Sequence, residues 1–161
     1  MRSTIILLAL SLLSFSCGEG PTNPLEWIEE GEIALGEGDN EEAVRKFEAA
    51  LDGLSSSDEG YFEAKLGTIR ALAPALPDQA LLNFQALAAE RPDLMRESEY
   101  HAIAKRLMLA GDDGLEAAGA LAKAGMAAFP DSESLPRLFL SIGKRSEGTA
   151  AYEQLQSLGY M

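Results

Sequence analysis

The fold is decided by residues 27–50, which read WIEEGEIALGEGDNEEAVRKFEAA. The stretch places Trp27 and Gly31 in one helical segment and Ala43 and Phe47 in a second one. Between them, the sequence GEGDN combines helix-breaking glycines with a capping aspartate. A small residue lets two helices approach closely, and a large residue one turn later fills the space beside it. The stretch therefore predicts a helical hairpin.

Similar units follow along the chain. The second has an Ala-x3-Phe pair and a later proline, and the third has Ala-x3-Ala with a proline at the same distance. The small position of the successive units is taken by Ala43, Ala80, Ala118 and Ala151, at intervals of 37, 38 and 33 residues. One hairpin cannot bury its apolar stripe alone, so neighbouring hairpins must stack.

These units resemble the tetratricopeptide repeat, a ~34-residue pattern of Trp-x2-Leu-Gly-x2-Tyr, Ala-x3-Phe and Pro. The matching positions are Trp27, Gly31, Ala43, Phe47, Ala80, Phe84, Pro92, Ala118, Pro130 and Ala151. Glu30 and Ser55 depart from the pattern, standing at its Leu and Pro positions. The resemblance implies an all-α fold, an α-solenoid of about four helical hairpins over residues 24–161. A non-repeating helical bundle that uses Ala and Phe alike is the alternative.

The same pattern sets the expected boundaries of the middle hairpins. The first helix of the second unit is expected over residues 58–73, with a turn at 74–78. The first helix of the third unit is expected over residues 95–110, with a turn at 111–114. Both turns are rich in the Gly, Pro and Asp residues that end helices.

Residues 1–16 are predicted to be a signal peptide that directs export. Arg2 precedes an apolar run of 11 residues, Ile5 to Phe15. That run is too short to span a bilayer, which needs about 20 apolar residues. We therefore leave this segment out of the fold.

Cys17, the only cysteine, follows the apolar run at once and cannot form an internal disulfide. This position resembles a bacterial lipoprotein signal, which implies that Cys17 carries lipid such as palmitate. The match departs from the usual pattern, because Leu13 lies four residues before the cysteine and Phe15 is bulky. The alternative is ordinary cleavage that leaves a free thiol. Residues 17–23 suit a flexible tether.

Acidic residues outnumber basic ones 26 to 13, giving a net charge of −13. Such a surface repels nucleic acid phosphates and anionic lipid headgroups, so nucleic acid is not an expected partner. A simpler effect of the charge is solubility.

No residue set indicates catalysis. The chain has one histidine, His101, and one cysteine, so a metal site of the usual His/Cys spacing is not expected. Asp112 and Asp113 lack the alternating pattern of a calcium loop. The sequence GEGD is not followed by Gly-Lys-Ser/Thr, so no phosphate loop is indicated. We therefore expect no enzymatic activity, cofactor or metal.

The family resemblance implies that the first helices of the hairpins line a concave groove that binds a peptide or a helix of another protein. Mapping that groove onto this sequence gives Ile28, Phe62, Lys65, Ile69, Tyr100, Ile103 and Leu107. The alternative is that some of these side chains pack internally.

The sequence therefore favours a lipid-anchored protein-binding module, a scaffold or adaptor of the bacterial cell envelope that faces the periplasm. A self-associating structural lipoprotein is the first alternative, since the chain ends at Tyr160 and Met161 without a polar capping helix. A helical envelope hydrolase is the second, and the missing catalytic set disfavours it.

Overall fold

The computed structural model describes residues 23–147, and all regular structure in that range is helical. A short 3-10 turn at Met108–Ala110 follows the fifth helix. The helices are α1 (Pro24–Glu37), α2 (Asn40–Asp52), α3 (Tyr61–Leu72), α4 (Pro77–Glu90), α5 (Glu97–Leu107), α6 (Asp112–Ala128) and α7 (Ser134–Ser146).

The helices stack as hairpins along the chain. Helix α1 packs on α2, α2 on α3, α3 on α4, α5 on α6 and α6 on α7. Helix α4 also packs on α6, which links the second hairpin to the third. This all-α array of stacked helix pairs confirms the predicted solenoid architecture. The expected second helix of the fourth hairpin, with Ala151, lies outside the described residues.

The ends of α1 follow from its sequence. The side chain of Asn23 accepts a hydrogen bond from the amide of Leu25 at 3.1 Å and so caps the helix, and a proline takes its first position. Gly38 ends α1 in the left-handed conformation, φ 83°, where a side chain would be strained. Asp39 then caps α2 by accepting from the amide of Glu42 at 3.0 Å. The predicted break between these helices is confirmed.

Two of the expected boundaries of the later hairpins were wrong by three residues. Helix α3 begins at Tyr61 instead of residue 58, because Asp58 closes a turn by accepting from the amide of Ser55 at 2.7 Å. The expected turn at 111–114 consists of Gly111 alone, and α6 already begins at Asp112. Gly114 lies inside α6, where a Cβ would stand 2.8 Å from the carbonyl carbon of Leu107.

Two apolar clusters share α3 and hold the array together. The first lies among α1, α2 and α3 around the fully buried ring of Phe47. The second extends from α3 to α7 around Phe84 and Leu121. Ala43, Ala80 and Ala118 are fully buried, as predicted for the small position of each unit.

Candidate interaction surface

The first helices of the hairpins form one layer of the array, in which α3 contacts both α1 and α5. A polar network links them. Arg70 of α3 donates from Nη2 to Oε1 of Glu32 on α1 at 2.6 Å, and from Nη1 to Oε2 at 3.5 Å. Both side chains remain partly exposed, so this ion pair adds little stability. Its main effect is to set the position of α3 relative to α1.

Arg106 extends the network to α5. Its Nη1 donates to Oδ1 of Asn40 at 3.4 Å and to the backbone carbonyl of Arg70 at 3.3 Å. Burial lowers the pKa of Arg106, and the charge of Arg70 lowers it further. An arginine nevertheless stays charged at neutral pH. The network therefore places two cations beside one carboxylate, that of Glu32.

A cavity of about 300 Å³ lies between α3 and α5 on this layer. Its walls combine apolar and charged side chains of both helices and of the loop before α5. The apolar residues are Phe62, Leu66 and Leu94, and the charged ones are Glu63, Arg70, Arg96 and Glu99. A cavity with two acidic and two basic side chains around an apolar floor can bind one apolar side chain of a ligand. The charged side chains can then orient the charged or amide groups on either side of it.

A second cavity of about 280 Å³ lies between α2 and α4, over α3. Lys65, Thr68 and Ile69 of α3 line it. The Thr68 hydroxyl donates to the carbonyl of Ala64 at 2.9 Å, so its proton is already used within the helix. Glu48, Asn83 and Glu90 of the flanking helices complete its polar lining.

Most of the predicted groove residues belong to the core. The structure buries Phe62, Ile69, Tyr100, Ile103 and Leu107 in the second apolar cluster. Tyr100 packs edge-on against Phe84, with ring centroids 4.9 Å apart, and burial raises its pKa. The prediction that these five side chains form an open binding groove is wrong. Internal packing, the alternative, accounts for them, and Phe62 alone also lines the α3–α5 cavity.

The remaining two predicted residues do not join that surface. Ile28 is half-buried and packs against the first apolar cluster. Lys65 is half-buried as well, and its Nζ lies 5.5 Å from the ring centroid of Tyr61. Besides Phe62, the α3 residues that line the cavity are Glu63, Leu66 and Arg70.

The error on α3 is one residue. The predicted set Phe62, Lys65 and Ile69 differs by a single step from the observed set Glu63, Leu66 and Arg70. One residue turns a helix by about 100°, which brings Glu63 and Arg70 to the open side, whereas Leu66 stays in the core with Ile69. The signal missed in the sequence is the charge at residues 63 and 70 of α3, at residue 99 of α5, and at residue 96 just before α5.

Ser134, Glu97 and His101 come together at the start of α7 and α5. The Ser134 hydroxyl donates to Oε1 of Glu97 at 2.5 Å, and hydrogen bonds from Ser134 and Ser132 lower the pKa of Glu97. A carboxylate of lowered pKa is a weak base, so the contact does not activate the hydroxyl as a nucleophile. We interpret this group as a contact that holds the N-termini of α5 and α7 together.

Cys17 lies outside the described residues, so its predicted lipidation stays a prediction. Within residues 23–147, no helix has the length and apolar character needed to cross a membrane. In the same range, no three His, Cys, Asp or Glu side chains are grouped as a metal site would require. No protein family, curated protein or solved structure matches the chain.

Proposed function

We propose that this protein is an adaptor that binds a segment of another protein and is held at a bacterial membrane by lipid on Cys17. The observation that carries the proposal is the cavity between α3 and α5, which has an apolar floor and a rim of both charges. It lies where the first helices of successive hairpins line up, the layer that binds ligands in the tetratricopeptide repeats that the sequence resembles.

The chemistry of the cavity describes its ligand. A volume of about 300 Å³ is at the small end of the range for ligand sites and fits one or two side chains of a polypeptide. Leu94, which is half-buried beside the core residue Leu66, offers burial to an apolar side chain of the partner. Interfaces gain most of their affinity from few such buried anchors. The charged rim then sets the orientation of the bound segment.

Cross-linking in living cells tests the site. A photoreactive amino acid at residue 63 or 96, on the rim, should cross-link a specific partner protein. The same amino acid at residue 78, exposed on α4, serves as the control. Equal cross-linking at all three positions would contradict a binding site at the rim.

A charge reversal measures the contribution of the rim. Arg96 is exposed and makes no side-chain hydrogen bond or ion pair with the described residues. Arg96→Glu should therefore weaken binding of the cross-linked partner at least tenfold without lowering the melting temperature. Lys105→Glu makes the same charge change at an exposed position within α5 and should leave binding within twofold.

The lipid anchor is tested separately. Cys17→Ser should move the protein from the membrane fraction to the soluble fraction, because a single residue carries the proposed attachment. Intact mass spectrometry of the natural protein should show acyl groups on Cys17. An unmodified Cys17 thiol would refute the anchor. It would not bear on the binding site, which the cross-linking experiment tests.

A further inference from the structure

The cavity between α2 and α4, which we call the α2–α4 cavity, shares no residue with the α3–α5 cavity. Lys65, Thr68 and Ile69 of α3 line its floor, and residues of α2 and α4 line its walls. The cavity therefore forms only where the first and second hairpins stack. Its volume of about 280 Å³ is just below the range of sites for drug-sized ligands and fits a molecule about the size of one amino acid.

The apolar part of the α2–α4 cavity can receive a small aliphatic group. Leu51 of α2 is half-buried and Ala86 of α4 is exposed, so both present apolar surface to the cavity. Ile69 and Leu87 belong to the second apolar cluster and are almost fully buried, so they close the cavity toward the core. An aliphatic group that covers Leu51 and Ala86 removes their apolar surface from water, which favours binding.

Charged groups of both signs line the cavity without neutralising one another. Lys65 is half-buried and forms no ion pair with the described residues, and its Nζ lies 5.5 Å from the ring centroid of Tyr61. Glu48 on α2 and Glu90 on α4 are exposed, and neither forms an ion pair within residues 23–147. The ammonium group and the two carboxylates therefore remain available to a ligand.

A hydrogen-bond donor and an acceptor lie beside these charges. Oδ1 of Asn83 accepts from Nε2 of Gln79 at 2.7 Å, which leaves Nδ2 of Asn83 without an acceptor in the described part of the chain. The Thr68 hydroxyl donates its proton to the carbonyl of Ala64, so its oxygen acts only as an acceptor in the cavity. The cavity therefore offers two kinds of donor, an ammonium and an amide, and two kinds of acceptor, carboxylates and a hydroxyl oxygen.

We propose that the α2–α4 cavity binds a small zwitterion, namely an α-amino acid or a short peptide that has both termini free and an aliphatic side chain. Lys65 and Nδ2 of Asn83 bind the carboxylate of the ligand. Glu48 or Glu90 binds its ammonium group. These contacts are charge-assisted hydrogen bonds, which are stronger than neutral ones.

Ligands of a single charge fit the cavity less well. A ligand with only a positive charge is repelled by Lys65, and a ligand with only a negative charge is repelled by Glu48 and Glu90. A zwitterion places each of its charges beside the opposite charge of the protein. The α3–α5 cavity and lipid on Cys17 play no part in this binding, so the proposal is independent of the adaptor function.

Titration of the purified full chain with L-leucine, followed by two-dimensional NMR, tests the site. Leucine carries both charges and an aliphatic side chain. It should shift the backbone amide signals of Thr68, Asn83 and Leu87 in a saturable way, with a dissociation constant of about 1 mM or lower. The signals of Leu94 and Glu99, beside the α3–α5 cavity, should stay in place. A titration without saturable shifts at a tenfold higher concentration would overturn the proposal.

Three related compounds test the need for both charges. N-acetyl-leucine keeps only the carboxylate and leucinamide keeps only the ammonium, so each should bind at least tenfold more weakly than leucine. If either of them binds as tightly as leucine, the cavity is a site for an anion or a cation and the proposal is wrong. Leucyl-glycine, in which the two charges are farther apart, decides between a free amino acid and a short peptide as the preferred ligand.

Substitutions in the cavity assign each charge of the ligand to its partner. Lys65→Met keeps the apolar stem but removes the cation, so it should weaken leucine binding at least tenfold and abolish the preference for leucine over leucinamide. Glu48→Gln combined with Glu90→Gln should weaken leucine binding to a similar extent and abolish the preference for leucine over N-acetyl-leucine. Paired losses of this kind identify contacts between specific groups.

Matched substitutions outside the cavity serve as controls. Lys105→Met, and Glu41→Gln combined with Asp78→Asn, make the same charge changes at exposed positions. They should leave leucine binding within twofold, and circular dichroism should show unchanged helicity in every variant. Equal weakening by the cavity substitutions and their controls would show that net charge alone attracts leucine, and would overturn the proposed site.

Discussion

The first and third hairpins fill the space between neighbouring hairpins in opposite ways. In the first, the large residue is Phe47 on the second helix, and it lies between Gly31 and Gly67 of the flanking first helices. In the third, the second helix α6 carries small residues where it meets α5 and α7. The large residues come from those flanking first helices, namely Tyr100 and Leu135. Close packing depends on the summed volume of facing side chains, so either helix can supply the large residue.

Removing the large residue of the first hairpin should have the greatest effect. Phe47→Ala leaves a cavity between two glycines that cannot fill it, which should cost about 3–5 kcal/mol of unfolding free energy. Urea unfolding followed by circular dichroism measures the loss. Phe129→Ala, at a half-buried ring, should cost less. Equal losses for the two variants would show that Phe47 is not the centre of the first cluster.

Adding a methyl group on the glycine side tests the same contact from the other direction. A Cβ on Gly67 would lie 2.5 Å from Cε1 and 2.7 Å from Cε2 of Phe47, so Gly67→Ala should destabilise by about 1–3 kcal/mol. Gly36→Ala is the matched control in α1, because apart from its chain neighbours and the nearby backbone of α1, no atom lies within 4 Å of the added Cβ. It should stabilise by about 0.5–1 kcal/mol through helix propensity.

The opposite signs expected for these two glycines give a clear criterion. If both substitutions stabilise the protein, the Phe47 ring has room to move, and its packing between Gly31 and Gly67 is loose. A Gly67→Ala variant that also carries Phe47→Leu should recover part of the loss, because the smaller side chain leaves space for the new methyl group. Neighbouring sites of this kind couple by about 0.5–3 kcal/mol.

The third hairpin gives the sharpest contrast with the repeat pattern. That pattern favours phenylalanine at residue 122, but Ala122 is fully buried in the cluster that Tyr100 and Leu135 already fill. Ala122→Phe should therefore overpack the core and destabilise by about 1–3 kcal/mol or more. Leu82→Phe, at an exposed site, should change stability by less than about 0.5 kcal/mol. A neutral or stabilising Ala122→Phe would mean that the third hairpin packs as the first does.

These contrasts show what the sequence could predict. The hairpins, the break at Gly38 and the burial of the repeated alanines follow from local signals, namely helical periodicity, capping residues and side-chain size. The close packing of Gly67 was not predicted, because it depends on contact with Phe47, which lies 20 residues earlier in the chain. Periodicity places a residue on a helix face but does not say which neighbour that face meets.

The candidate site was harder to predict for the same reason. Its register depends on how α3 and α5 turn relative to each other, and an error of one residue moved the α3 residues from the rim into the core. The ion pair between Glu32 and Arg70 joins residues 38 positions apart, so no local pattern reveals it.

The smallest expected loss of stability comes from substituting Lys46, which lies at the surface of the first hairpin. Its Nζ lies 4.3 Å from the ring centroid of Trp27 and 2.7 Å from Oε2 of Glu30, so one cation joins α2 to two residues of α1. Lys46→Met keeps much of the apolar stem but loses these two attractions and the 3.4 Å ion pair with Glu42 within α2, and should cost about 0.5–1 kcal/mol. Arg137→Met removes a more exposed pair in α7 and should cost less. Added salt should shrink the cost of Lys46→Met only in part, because a cation against a ring is screened less than an exposed ion pair. An equal cost for both variants in urea unfolding would show that the aromatic contact contributes nothing measurable.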